Sequence, residues 1–172
     1  SAGLRVDPAG NAFSASLAIG TDNKPVIAWA EENASVNSSI YVKKLVGNIW
    51  TLVGTTAIDT SIANYALEPS LDLDSSNNPF VAWTEFVDSA FGFSSNLYAK
   101  RWNGSAWIPL GNTLLRYVLD KSSSRDVYNP VLVVGSNNNP VLTWSEDTTS
   151  TIDLSANIYV KRWTGTVWQQ VS

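Results

Sequence analysis

The chain has 172 residues and a formal net charge of -4, and its 11 Lys and Arg residues form no basic block on which a nucleic-acid backbone would release counterions. It contains no His and no Cys, which excludes Ser-His-Asp and Cys-His triads, His-ligated and thiolate metal sites, and any disulfide framework. No apolar run approaches the roughly 20 residues that span a bilayer, so neither nucleic acid nor membrane insertion is expected.

In chain order, the opening SAGLRVDPAG is neither a charged nor an apolar leader segment, and the absence of Met predicts a processed or excised chain. A first apolar strand is expected around Leu17, ending in an Asp/Asn turn whose Asn tolerates the left-handed conformation. A second strand runs from Pro25 through Trp29 to Glu31, with Pro at the first position, where its missing N–H does least harm. After a polar loop from Glu32 to Ser39 comes a third strand, IYVKKL, and a tight VGN turn leads into a fourth strand at Trp50. The same order then repeats. Strands around Leu71, from Pro79 to Glu85, through LYAKRW and at Trp107 make a second copy. Strands around Leu132, from Pro140 to Glu146, through IYVKRW and at Trp168 make a third. The loops between second and third strands, Phe86 to Ser95 and Asp147 to Ala156 in the later copies, differ most, together with the connector Asn112 to Tyr128. Phe86, Phe91 and Phe93 are apolar for a surface loop and suggest an interface or a lid.

Each copy places a Trp four residues after a Pro (Pro25/Trp29, Pro79/Trp83, Pro140/Trp144), a Glu two residues later, and then Tyr-x-Lys at Tyr41/Lys43, Tyr98/Lys100 and Tyr159/Lys161. No stretch sustains a helical period, so the class is all-β. Four short strands in a unit of about 55 to 60 residues match propeller blades rather than solenoid repeats. The expected fold is a β-propeller of three four-stranded antiparallel blades, about 12–66, 67–128 and 129–172, with 1–11 as an interblade connector. The run from Trp168 through the C-terminus and on from the N-terminus to Ala15 is as long as that from Trp50 to Pro69. Three blades are too few for the usual ring of about 4 to 8 and leave two apolar faces to be covered. The chain is therefore expected to form half of a six-bladed ring, either by self-association of two chains or as part of a longer propeller.

The copies resemble the blades of bacterial secreted and cell-surface β-propeller proteins, whose repeats carry an NxPxVAW strand followed by a YVKRWNGxxW hairpin. The resemblance covers nearly the whole chain. It implies a propeller fold and an extracellular or cell-surface setting, since such repeats occur in adhesins, lectin-like modules and other surface proteins.

Carboxylates are the chemistry that remains. Glu31, Glu85 and Glu146 recur with the same neighbours, whereas an active site is normally unique, so recurrence favours structure or a repeated binding site and the chain is expected not to be an enzyme. As structure, each Glu would pair across the hairpin with Lys43, Lys100 or Lys161. As function, each would accept sugar hydroxyls beside Tyr41, Tyr98 or Tyr159. Trp29, Trp83 and Trp144 are expected to pack between blades. Trp50, Trp107 and Trp168 are either plugs at the blade ends or platforms for a pyranose ring. Lys44, Arg101 and Arg162 read as outward or interblade cations lying over a Trp face. Asp72, Asp74, Ser76 and Asn78 alternate oxygen ligands but lack the Gly and distal Glu of a calcium loop, so a turn is expected, with no metal and no cofactor. Asn33, Asn37 and Asn103 stand in glycosylation sequons. The leading expectation is a non-catalytic, lectin-like module that recognises a glycan or a surface partner through the second-to-third-strand loops and the interblade grooves. A pure assembly unit and a carboxylate-based glycan-processing enzyme are the alternatives.

Overall fold

The computed structural model describes residues 3–33, 37–89, 92–111, 126–148 and 155–171, with the side chains of 87–89 and 92–94 outside that description. Twelve strands and no helix occur among the described residues. The first sheet holds β1 (Ala12–Ile19), β2 (Pro25–Glu32), β3 (Ser38–Val46) and β4 (Ile49–Leu52). The second holds β5 (Tyr65–Leu73), β6 (Pro79–Ser89), β7 (Gly92–Trp102) and β8 (Trp107–Pro109). The third holds β9 (Val127–Val134), β10 (Pro140–Asp147), β11 (Ala156–Trp163) and β12 (Trp168–Gln170). Pairing within each sheet is antiparallel between consecutive strands, and one parallel bridge, Ser38 to Tyr65, links the first sheet to the second.

Local sequence explains the repeated shape. Asn23, Asn77 and Asn138 occupy the left-handed region at φ 58°, 62° and 60°, closing each turn between first and second strands, a conformation that Asn accepts at low cost. The innermost strands carry a bulge at one shared position, with Ser14, Glu68 and Asn129 at φ 52°, 53° and 53°. A bulge bends its strand and increases the twist. The second hairpin differs from the expected loop: β6 and β7 stay paired out to Ser89 and Gly92. The aromatic and β-branched residues there prolong the strands instead of forming an irregular surface loop. Phe91 lies outside the described residues, as does most of the Asn112 to Tyr128 connector.

Alternation along each strand gives every sheet two unlike faces. One carries mostly small or aliphatic residues: Val26, Ala28, Ala30, Ile40 and Val42 in the first sheet, and Ala82, Leu97 and Ala99, beside Phe80, in the second. The opposite face carries the large ones. Trp83, Val81 and Leu71 of the second sheet pack on the small face of the first. Trp144, Leu142 and Leu132 of the third pack on the small face of the second. The core thus consists of apolar layers between sheets, as in a propeller. Among the described residues no helix is long and apolar enough to cross a membrane.

Candidate functional site

Because side chains two apart on a strand share a face, the Trp-x-Glu of each second strand brings an indole N–H to a carboxylate. Trp29, Trp83 and Trp144 donate through Nε1 to Glu31, Glu85 and Glu146 at 2.7, 3.0 and 2.9 Å. All three Glu side chains are fully buried. The remaining capacity of Glu31 and Glu85 faces the connector that leads into the same sheet. Glu31 accepts from the backbone N–H of Val6 (2.9 and 3.0 Å) and of Asp7 (2.5 Å). Glu85 accepts from the Thr60 N–H at 3.1 Å, from Asn64 Nδ2 at 2.7 Å and from the Thr60 hydroxyl. A buried carboxylate is tolerated where such donors replace water, and here it clamps the connector to its blade.

The register corrects the expected cross-strand pairing. Glu31 lies opposite Ser39, and Lys43 lies opposite Ile27. Strand alternation instead puts Lys43, Lys100 and Lys161 over the faces of Trp29, Trp83 and Trp144, with each Nζ 5.7, 5.7 and 5.6 Å from the ring centroid. These lysines therefore take the place expected for Lys44, Arg101 and Arg162. Lys43 donates to the Leu4 carbonyl at 2.6 Å and Lys100 to that of Ile58 at 2.5 Å, so both also hold connectors. Burial lowers the pKa of Lys100 and Lys161, opposed by nearby acids. Tyr41, Tyr98 and Tyr159 lie against the same three Trp rings at 5.9, 5.8 and 5.9 Å. Burial raises the Tyr41 pKa, and Glu31, Asp59 and Asp7 add to it.

The outer Trp residues stand elsewhere. Trp50 pairs with Leu45, six residues along β3 from the Ser39 that faces Glu31, or roughly 20 Å at the strand rise. The structure thus sets each Glu and its Tyr against one shared Trp but keeps the outer Trp apart. Trp107 Nε1 donates to the Val53 carbonyl and Trp168 Nε1 to the Leu110 carbonyl, both at 2.8 Å, each across to the preceding sheet. The acceptors precede Gly54 and Gly111, whose φ values of 94° and 99° suit Gly; a Cβ on Gly54 would lie 3.2 Å from Trp107 Nε1.

At the end where connectors and second-to-third-strand hairpins emerge, the structure gathers residues that the repeat did not single out. Tyr128 donates to Asp147 Oδ1 at 2.8 Å, and that bond, ahead of burial, raises its pKa. Asp126 Oδ1 accepts from the Ser95 N–H at 3.0 Å. Asp59 accepts from the Ile40 N–H at 3.0 Å, and burial raises its pKa. Phe13 and Tyr65 are exposed near the starts of β1 and β5. Their signal in the sequence is departure from the repeat: the three copies carry unlike residues at these positions.

No family model matches the chain, and no curated protein does. Solved structures do. A thermostable family-43 glycoside hydrolase is 16% identical with a TM-score of 0.59, over 96% of this chain and 59% of its own. An endo-arabinase from Bacteroides thetaiotaomicron is 17% identical with a TM-score of 0.54, over 92% and 60%. An α-L-arabinanase from Penicillium chrysogenum is 13% identical with a TM-score of 0.58, over 92% and 50%. The fold is that of a β-propeller. The chain spans between half and three fifths of the length of these structures. These matches overturn the expectation that the chain is not an enzyme: propellers of this shape include glycoside hydrolases, which need neither His nor Cys when carboxylates act.

Proposed function

We propose that the chain is a section of a glycan-acting propeller of the bacterial secreted or cell-surface kind, placed outside the cell. Its ring is completed by further blades, and it takes its sugar at the end where connectors and second-to-third-strand hairpins emerge. The observation that carries this reading is the clamp. Glu31 and Glu85 fix the connectors to their blades at that end, and positioned loops on a rigid scaffold are where propellers recognise ligands. Glu31, Tyr41, Glu85, Tyr98, Glu146 and Tyr159 then serve the ligand as the frame behind the loops, whereas Trp50, Trp107 and Trp168, at the far end of the third strands, stay away from it. Exposed Tyr65 and Phe13, with Tyr128, Asp126 and Asp147, supply the apolar faces and hydrogen-bond acceptors that a pyranose or furanose ring requires. The endo-arabinase and the α-L-arabinanase among the similar structures support a polysaccharide as the ligand class.

The test is a polysaccharide panel containing arabinan and xylan, read for binding and for release of reducing ends. The expected result is binding that free oligosaccharide competes away and that Tyr65→Ala or Tyr128→Ala reduces at least tenfold, about 1.4 kcal/mol, without change in fold. Reducing-end release would assign the carboxylates at this end to catalysis. Silence across the panel from folded protein would overturn the reading and favour a unit that serves assembly.

A further inference from the structure

The two interfaces between sheets show what each blade face requires, and the first and third sheets each present one of those faces without a cover among the described residues. Leu17, Leu71 and Leu132 hold the same position in β1, β5 and β9. Where a preceding sheet covers it, the residue is 6% or 3% exposed (Leu71, Leu132), but Leu17 is 60% exposed, and Ile19 beside it also 60%. The opposite face repeats the contrast. Ile40 and Leu97 are 0% exposed under the next sheet, whereas their counterpart Ile158 is 69% exposed. Val131 and Val133 on β9 are exposed with it.

The polar groups at the two ends are also halves of bonds made inside. Trp107 and Trp168 donate to the carbonyls of Val53 and Leu110. Trp50, at the same position of the first copy, is half-buried, and its indole N–H has no acceptor among the described residues. The matching carbonyl belongs to Val171, whose N–H bonds to Val160 as those of Val53 and Leu110 bond to Val42 and Ala99. Likewise the Asn77 carboxamide accepts from the Thr21 N–H at 2.7 Å, and that of Asn138 from the Ser75 N–H at 2.9 Å. Asn23 at the first end and Ser136 at the last occupy the corresponding positions, and the Asn23 side chain has no partner among the described residues. An open hollow of about 230 Å³, lined by Leu4, Phe13, Ile27 and Trp29 among others, lies on the same uncovered face as Leu17.

We propose that a second copy of this chain covers both ends at once. Its third sheet packs on the first sheet of its partner, with Ile158 and Val160 against Leu17 and Ile19. The Trp50 indole donates to the Val171 carbonyl, and the Ser136 N–H donates to the Asn23 carboxamide. The contact is heterologous, continues the internal interfaces in register, and closes after two copies into six blades with two identical joints. This rests on the propeller fold and is independent of the glycan reading.

The experiment is multi-angle light scattering of the whole chain without glycan, together with Leu17→Asp and Ile158→Asp. Both residues are exposed in the single chain, and circular dichroism checks that the variants fold. The expected mass for the unaltered chain is twice the 18.7 kDa of one chain. Each Asp variant is expected to be monomeric, because every joint uses one Leu17 face and one Ile158 face. Mixing the two variants should restore a one-to-one pair through the single unaltered joint. Trp50→Phe removes one neutral hydrogen bond at each of the two joints and should weaken association about thirtyfold. A monomeric unaltered chain would overturn the proposal, because its blade faces would then be covered by something other than a second copy. Dimers that persist in both Asp variants would also overturn it, since they would join like faces instead.

Discussion

Replacing Glu85 tests the clamp at its best-defined site. Two donors meet each oxygen: the Thr60 hydroxyl and Asn64 Nδ2 at Oε1, the Thr60 N–H and Trp83 Nε1 at Oε2. Glu85→Ala leaves two N–H groups that cannot reorient, in a position with no solvent exposure. At about 1 to 3 kcal/mol for each orphaned buried donor, the two come to about 2 to 6 kcal/mol, and the cavity adds to that. Glu85→Gln is milder for a geometric reason. With its amide nitrogen at the Oε1 position, the Thr60 hydroxyl turns to accept and the Asn64 carboxamide flips to present its oxygen. Only charge assistance is lost, about 1 to 1.5 kcal/mol. At Glu31 the same exchange has no such escape, because all its donors are backbone or indole N–H groups. Glu31→Gln should therefore free the segment around Val6 and Asp7, seen as rapid amide exchange there, while Glu85→Gln keeps Thr60 protected. Urea unfolding at 25 °C supplies the stabilities. Equal costs for Glu85→Gln and Glu85→Ala, or an Ala variant within about 1 kcal/mol of the parent, would refute the clamp.

Asp59 predicts a pH dependence. Burial raises its pKa above that of a free aspartate, so the folded protein keeps this proton where the unfolded chain has released it. Its contribution to stability is thus present below the unfolded value and lost as pH rises through the folded one. Asp59→Asn should remove that decline and be at least as stable as the parent at neutral pH, judged by urea midpoints across the acid range; a variant losing more stability at neutral than at acid pH would reverse the sign. Leu71→Ala empties a position packed between the first two sheets and should cost about 2 to 5 kcal/mol. Leu17→Ala, the same residue type at the same repeat position, should cost under about 1 kcal/mol in the dissociated chain, measured by unfolding at dilution where the chain is monomeric.

The strands and the left-handed Asn turns were legible because the repeat wrote them three times: Pro marks the start of each second strand, and Asn with Pro two residues on marks each turn. The partner of each Glu was not. Spacing suggested a Lys across the hairpin, but the register, continued by the Asn33 N–H bond to the Asn37 carbonyl, puts Ser39 opposite Glu31. A legible clue was present in Trp-x-Glu, since residues two apart share a face. The other donors to Glu31 are backbone amides, which every sequence carries, so no residue type announces them. At the connector end, Asp126, Tyr128 and Asp147 were legible only as parts of segments that differ between copies, the connector Asn112 to Tyr128 and the loop Asp147 to Ala156, while Tyr65 was not singled out because no repeated residue marks it. Phe86 and Val87 could have shown that the second hairpin continues as strand, because residues of that kind favour a pleated surface over a loop.

The uncovered faces are not simple copies of the covered ones, and the difference is chemical. Inside the chain, the Ser16 and Ser70 hydroxyls accept from the Leu71 and Leu132 N–H groups at 3.0 and 2.9 Å, and Ser38 and Ser95 donate to the Ala66 and Val127 carbonyls at 2.9 and 2.8 Å. In the third copy Val131 stands where Ser16 and Ser70 stand, and Ala156 where Ser38 and Ser95 stand. The outward face of the third sheet has therefore lost these serine bonds and exposes Val131, Val133 and Ile158, beside the Thr143 and Ser145 side chains, the Val171 carbonyl and the Ser136 N–H. A joint inside one chain is held in register by its connector, so serine bonds with strict geometry cost little to align. A joint between separate chains lacks that tether, and apolar burial, which is non-directional, is the term that tolerates imperfect alignment. Association through this face should then depend little on salt and weaken on cooling, as hydrophobic burial does.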